Sequence, residues 1–278
     1  MIARRIASAS LAQTAMQALI VEARLTPKPA LVDGRGNGAH RDLSLALLVR
    51  SAHALRETFE EVAVACRNAG LDIALRERLG AIGRSGERRM LAATGGVNTH
   101  RGALWSLGLL VAACALTDAS DARELATAAS AIAALPDREG GSFPSNGARV
   151  REAFGVRGAP GEAADGFPHI VRVALPMLRA ARARGEDDAT ARINALLAIM
   201  TTLEDTCLLH RGGTAALRIA QEGARAVLAA GGFATSRGAH AFSLLDAGLL
   251  ARNASPGGAA DLLAAAIFLD SIERRTCG

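Results

Sequence analysis

The sequence predicts an all-α protein: a single compact domain spanning residues 1–278, built of about ten to twelve helices with its site at helix N-termini. Three observations carry this reading. Hydrophobic residues make up 50% of the chain, and most are alanine and leucine, both strong helix formers. Aromatics are only 3%, tyrosine is absent, and no β-branched run alternates as a strand would. Apolar residues instead recur every three or four positions over long windows, separated by short junctions rich in glycine, proline and charge.

Taken in order, residues Ile6 to Leu25 read as an amphipathic helix with Leu11, Ala15, Ala18 and Leu19 on one face. Pro27 and Pro29 stop it by removing two backbone donors. A long helix is expected over Leu43–Asn68, with Leu47, Leu48, Leu55, Phe59, Val62 and Cys66 at helical spacing and Gly70 just beyond as its C-cap. Asp72–Ala93 reads as one helix or two. Gly102–Leu116 is an apolar helix and Asp118–Leu135 a short, alanine-rich one. Asp137–Gly166 holds nine glycines and prolines and carries the weakest pattern; it reads as a long functional loop. Helices resume at Pro168–Arg184, with a kink at Pro176, and at Ala189–Leu203. Gly212–Gly213 should open a helix over Thr214–Ala229, Ser236–Arg252 follows, and the junction Asn253–Asp261 leads into the last helix, through about Arg274.

Charge and cysteine usage narrow the function. The net charge is +5, and the arginines are scattered rather than gathered in a stripe, which argues against nucleic acid and fits anionic small molecules. Cys66, Cys114, Cys207 and Cys277 are far apart and form neither a metal pair nor a disulfide framework, as in a reducing compartment. Arg4 and Arg5 precede no apolar signal region, and the longest uncharged run, Gly102–Thr117, falls short of the roughly 18 residues of a membrane span. A cytoplasmic protein with no membrane contact is expected.

Four junctions concentrate the chemistry. The first is Thr26–Asp42, TPKPALVDGRGNGAHRD, which contains Lys28, Asp33, His40 and Asp42. Lys28 is the chain's only lysine, and its survival between two prolines suggests a place where an ammonium is wanted rather than a guanidinium. The second, GGVNTHR, contains Asn98, His100 and Arg101 ahead of an apolar helix, where Asn98 or Thr99 can cap and the free N–H groups face an anion. The third, EDTCLLHRGG, contains Glu204, Asp205, His210, Arg211, Gly212 and Gly213; the fourth, NASPGGAAD, contains Gly257 and Gly258. A glycine before a helix is usually only a cap, but three such starts beside arginine suit phosphate. No P-loop and no GxGxxG after a strand is present. The acids Asp33, Asp42, Glu204 and Asp205 suit Mg²⁺ or general-base work, with capping and arginine pairing as the plainer alternatives. Zinc spacings such as HExxH are absent. His53, His169 and His240 fall in helical stretches and read as structural.

As a set, these motifs resemble a known family. EARLTPKPALVDGRGNGAHRDL, GVNTHRGALWSLGLL, GAPGEAADGFP with the LP that follows, DTCLLHRGG and SPGGAADLLA occur in the order found in triphosphoribosyl-dephospho-CoA synthases, from Glu22 to Leu263. RGNGAHRDLSLALLVRSAHAL is closer to the malonate decarboxylase branch than to the citrate lyase branch. Two positions depart: Ala30 stands where the family has glycine, and Pro160 where an arginine is expected.

The resemblance implies a transferase that moves the triphosphoribosyl group of ATP to the 2′-hydroxyl of 3′-dephospho-CoA and releases adenine. It implies ATP with Mg²⁺, and a product passed to a holo-acyl-carrier transferase. Oligomeric state stays open, a homodimer included. Under this reading Asp205, Glu204 and His210 are catalytic. Lys28, His40, Asn98, His100, Arg101, Arg211, Gly212, Gly213, Gly257 and Gly258 hold phosphate or substrate, and Asp33, Asp42 and Asp205 hold metal. Two rivals remain: a metal-dependent nucleotide or ADP-ribose hydrolase, and a non-catalytic helical partner of an acyl-carrier subunit.

Overall fold

The structure, a computed structural model, describes residues 6–140 and 145–276. Arg4, Arg5, Gly141, Pro144 and Cys277, used in the sequence reading, lie outside the described residues. Among the described residues there are twelve α-helices and no strand beyond the isolated bridge between Asp33 and Gly36, which confirms the all-α class. They are α1 (Ser8–Arg24), α2 (Leu45–Cys66), α3 (Ile73–Ala93), α4 (Arg101–Leu116), α5 (Ala122–Ala134), α6 (Asn146–Phe154), α7 (Gly158–Ala164), α8 (Leu175–Ala183), α9 (Asp188–Met200), α10 (Thr206–Ala229), α11 (Ser236–Leu250) and α12 (Gly257–Thr276). None of the described helices is long and apolar enough to cross a membrane.

The helix starts follow from the residues that precede them. Ser44, Asp72, Asp121, Ser145, Asp187 and Thr235 each accept a first-turn N–H at the head of α2, α3, α5, α6, α9 and α11. Each such cap contributes about 1 kcal/mol. The centre is α1, α4 and α12, which pack on one another. In α4, Ala103, Leu107, Leu110, Val111 and Ala112 are buried, so almost no polar face is left. On α12, Leu263, Phe268 and Leu269 are fully buried, joining one cluster with Leu11 and Leu19 of α1. α2 packs on α1 and α4, α3 on α2, and α8 on α9; α10 packs on α9 and α11.

Four expectations need correction. Asp137–Gly166 is not one loop: α6 and α7 lie within it, α6 running from the Ser145 cap to Gly155, whose φ of 67° ends it in the left-handed region. Gly70 does not end α2; Asn68 takes the left-handed turn at φ 57°, as asparagine tolerates. Pro176 makes no simple kink. The chain forms a wider π turn over His169–Ala174 and returns to α geometry at α8, where Pro176 in the first turn lacks the donor an unbroken helix would need. Gly213 interrupts α10 at φ 62°, ψ −161°, and a new helical run starts at Thr214 as expected, but on a segment already helical from Thr206.

Candidate active site

One cleft, with a cavity of about 410 Å³, collects the Thr26–Asp42 loop, the starts of α4, α10 and α12, and the faces of α6 and α7. The loop is built first, by its own polar groups. The Asp33 carboxylate accepts the Lys28 backbone N–H (2.8 Å) and the Arg35 N–H (2.7 Å). Arg35 pairs with Asp33 (2.8 Å) and with Asp246 on α11 (2.9 Å), and donates to the Lys28 carbonyl (2.8 Å). Asp246 also accepts the Ala30 N–H at 2.7 Å. These bonds hold Lys28 at its backbone, and its side chain then reaches Glu22 on α1. Lys28 Nζ donates to Glu22 Oε1 at 2.6 Å and to the Glu22 carbonyl at 2.8 Å, and both residues are buried.

At the next corner, neutral His40 stands between Arg211 and Ser255. Burial and the Arg211 charge push its pKa down to about 4. Arg211 Nη2 donates to His40 Nδ1 (3.0 Å), because a guanidinium can only donate, so Nε2 carries the hydrogen toward Ser255 Oγ (2.8 Å). Asp42, exposed at the rim, lies 3.9 Å from His40. At the head of α4 the N-cap residue is His100 rather than Asn98 or Thr99, and Asn98, two residues earlier, accepts the Arg101 N–H at 3.2 Å. His100 bonds Ser51 at 2.8 Å, and burial together with Lys28 lowers its pKa to about 4. Arg101 is paired with Glu87.

Asp205 is the cap of α10 and something more. Its Oδ1 accepts the N–H of Cys207 (2.8 Å), and its Oδ2 accepts the N–H of Ala259 on α12 (2.9 Å), so one buried carboxylate ties two helix starts together. Burial raises its pKa against the pull of those N–H groups. A Cβ on Gly258 would lie 3.0 Å from that carboxylate, so glycine there permits the approach. Glu204, beside it, is exposed on the cleft wall and has no hydrogen bond or ion pair among the described residues. The ranking expected from sequence is therefore reversed: the oxygens of Asp205 are occupied by backbone donors, and Glu204 is the carboxylate open to a ligand. His210 is likewise exposed on the wall.

The structure thus brings Lys28, His40, Asp42, Asn98, His100, Arg101, Glu204, Asp205, His210, Arg211, Gly257 and Gly258 to one cleft. Three residues do not line it. Asp33 faces Lys28 and Arg35 instead of a metal. Gly212 packs against Ala254, and Gly213 serves the break in α10. Among the described residues, no three His, Cys, Asp or Glu side chains stand together as a metal-binding group, so Asp33, Asp42 and Asp205 are not a shared cage.

Five cleft residues were not singled out from sequence: Glu22, Trp105, Arg151, Ser255 and Asp261. Glu22, Trp105, Ser255 and Asp261 all sit inside the quoted motifs, which was their signal. Arg151, on α6, has no acidic partner among the described residues. It was missed because α6 was read as loop. Asp261, on α12, is half-buried, and burial with the Glu22 and Asp205 charges raises its pKa well above its ordinary value.

Comparison with known proteins finds relatives along nearly the whole chain. The family model described as ATP:dephospho-CoA triphosphoribosyl transferase matches residues 8–277. A protein of Azotobacter vinelandii named as a probable 2-(5''-triphosphoribosyl)-3'-dephosphocoenzyme-A synthase is 57% identical, over 94% of this chain and 91% of its own length. The synthase of that name from Klebsiella pneumoniae is 55% identical, over 94% of each chain. A probable one from Pseudomonas fluorescens is 55% identical, over 95% of this chain and 91% of its own. No solved structure matches. On the match along nearly its whole length, the chain belongs to the ATP:dephospho-CoA triphosphoribosyl transferase family.

Proposed function

We propose that the cleft joins ATP to 3′-dephospho-CoA, transferring the triphosphoribosyl group to the acceptor 2′-hydroxyl and releasing adenine. The membership just described supports the reaction. The observation that carries its placement is that buried Glu22 and Asp205 and half-buried Asp261 share one cleft with the more accessible Arg101, Arg151 and Arg211. Breaking the C1′–N bond builds positive charge at C1′, and a nearby carboxylate stabilises it, as in glycoside transfer. Arginines suit the triphosphate, which they hold by charge-assisted bonds. Glu204 is the base in this reading, because it alone of the adjacent acids has its oxygens available.

Mg²⁺ belongs here as part of the nucleotide substrate. Such an ion takes one or two carboxylates and completes its shell with phosphates, so exposed Asp42 fits it without a protein cage. When bound it neutralises triphosphate charge. Lys28 holds the Glu22 carboxylate in place, and the neutral His40 fixes the Arg211 guanidinium and orients the Ser255 hydroxyl.

The RGNGAHRDLSLALLVRSAHAL stretch supports the malonate decarboxylase branch, with the product passed to a holo-acyl-carrier transferase in the cytoplasm. Mass spectrometry after incubation with ATP, Mg²⁺ and dephospho-CoA tests the reaction. The expected products are free adenine and dephospho-CoA enlarged by one triphosphoribosyl group. ADP or inorganic phosphate as stoichiometric product would contradict it, and adenine release without acceptor would indicate a hydrolase.

A further inference from the structure

Departing adenine must gain a proton, and the cleft contains one group placed to give it. We propose that Asp261 protonates the leaving adenine, while Trp105 is the platform on which the base lies; this rests on the reaction proposed above.

The geometry comes from α4 and α12. The Asp261 carboxyl lies against the first turn of α4, where Gly102 leaves the space: a Cβ there would collide with Asp261 Oδ2. Trp105 is three residues along α4 from Gly102, on the same helix face, and also lines the cleft. It is the chain's only tryptophan, and no phenylalanine lines the cleft. The Arg76 guanidinium, which is not part of the cleft, covers Trp105 at 5.3 Å from the ring centroid. One face of the indole is thus covered by a cation, and the residue lines the cleft. Flat bases stack on such a surface.

The charge balance explains why Asp261 retains a proton. Glu22 from α1 and Asp205 from the start of α10 share the cleft with it, together with Lys28, Cys207, His100 and Arg101. Lys28 makes both of its bonds to Glu22, and Arg101 is paired with Glu87. His100 is neutral, and the half-buried Cys207 thiol is pushed well above its usual range, so neither supplies a counter-charge. Three carboxyls around one engaged ammonium cannot all ionise at low cost. Burial and the two neighbouring carboxylates raise Asp261 well above its ordinary value, against the pull of the Ala103 N–H that it accepts, and this is the direction a general acid requires.

The step balances. The C1′–N bond breaks with its electron pair going to the purine, and the Asp261 O–H bond gives its proton to that ring. The acceptor 2′-oxygen bonds C1′ and yields its proton to Glu204. Asp261 ends ionised and Glu204 protonated, and exchange with water restores both.

The test compares Asp261→Asn with wild type on two nucleotides, ATP and its N7-methylated form, whose base leaves neutral without a proton. Asn retains an oxygen for the Ala103 N–H and is neutral without taking up a proton, so the melting temperature should hold or rise. With ATP the rate should fall at least about 100-fold, the lower range of general-acid effects. With N7-methyl-ATP it should fall far less, and the decline of wild-type kcat at alkaline pH should disappear in the variant. ATP should quench the fluorescence of the single tryptophan in both proteins. Equal losses on both nucleotides, or a wild-type rate with ATP, would overturn the role of Asp261. Unchanged fluorescence at saturating ATP would overturn that of Trp105. Wild-type enzyme that releases no adenine from either nucleotide would instead refute the reaction itself.

Discussion

Lys28 Nζ stands 2.6 Å from Glu22 Oε1, and both residues are buried and line the cleft. The sequence suggested an ammonium held out for phosphate. The structure has a buried ion pair, and this changes what a mutation should do. Lys28→Ala leaves the Glu22 carboxylate buried without its partner, which costs about 3–5 kcal/mol. A large fall in melting temperature is expected, and Glu22→Gln added to Lys28→Met should restore much of it while activity stays low. Thermal melts of the three proteins check this; an unchanged midpoint for Lys28→Ala would mean that the pair contributes nothing.

Ala30 adopts φ 53°, a left-handed conformation that costs a residue with a Cβ about 1–2 kcal/mol. Its N–H is held by Asp246, and its carbonyl accepts from Ala39 at 2.9 Å, so the loop imposes the geometry. The glycine found here in the resembled family is thereby explained. Ala30→Gly should leave stability unchanged or raise it by up to about 1 kcal/mol, since relief of strain is partly offset by unfolded-chain entropy. Ala30→Val should lower it clearly. Denaturant titration separates the two, and a less stable Ala30→Gly would show that the strain is absent.

Glu204 and Asp205 are neighbours with different tasks. Asp205→Ala removes the acceptor of Cys207 and Ala259 N–H groups and should cost about 1–3 kcal/mol of stability. Glu204→Gln should melt as wild type yet lose at least about 100-fold in kcat as a missing base. The reverse pattern, with Glu204→Gln unstable and fully active, would return the base to Asp205.

His100 stays neutral when folded, with its pKa lowered to about 4, whereas in the unfolded chain it titrates near 6.5. Between those values the unfolded state binds the proton and the folded state does not. Stability contributed by this residue is thus full above pH 6.5 and falls as pH drops toward 4, by up to about 3 kcal/mol. Asp205 and Asp261 act in the opposite sense, so the informative quantity is a difference. His100→Gln should lose less stability than wild type between pH 7 and pH 4.5, read from denaturant midpoints. Parallel curves would mean that His100 is charged in the folded protein.

Much of this was legible in the sequence because helix period and glycine punctuation act locally. α1, α4 and α11 begin and end within a few residues of the expected bounds, and the four junctions do converge on one cleft. Two kinds of information were not local. α6 lacks a strong apolar face, with Val150 its only buried residue, so periodicity missed it although the Ser145 cap and Gly155 bracket it. With it went Arg151. The tasks of Asp33 and Asp205 depend on Arg35, Asp246 and Ala259, and only tertiary structure brings the distant two into reach. A sequence shows which acids stand at helix starts, but not which have their oxygens already filled by N–H groups.

The most direct measurement counts adenine. Purified protein with excess Mg²⁺-ATP is given increasing amounts of 3′-dephospho-CoA, and free adenine is quantified by chromatography. The account predicts no adenine without acceptor and one adenine per dephospho-CoA consumed, with no ADP formed. Adenine that appears without acceptor, or acceptor consumed with release of ADP or phosphate, would contradict it.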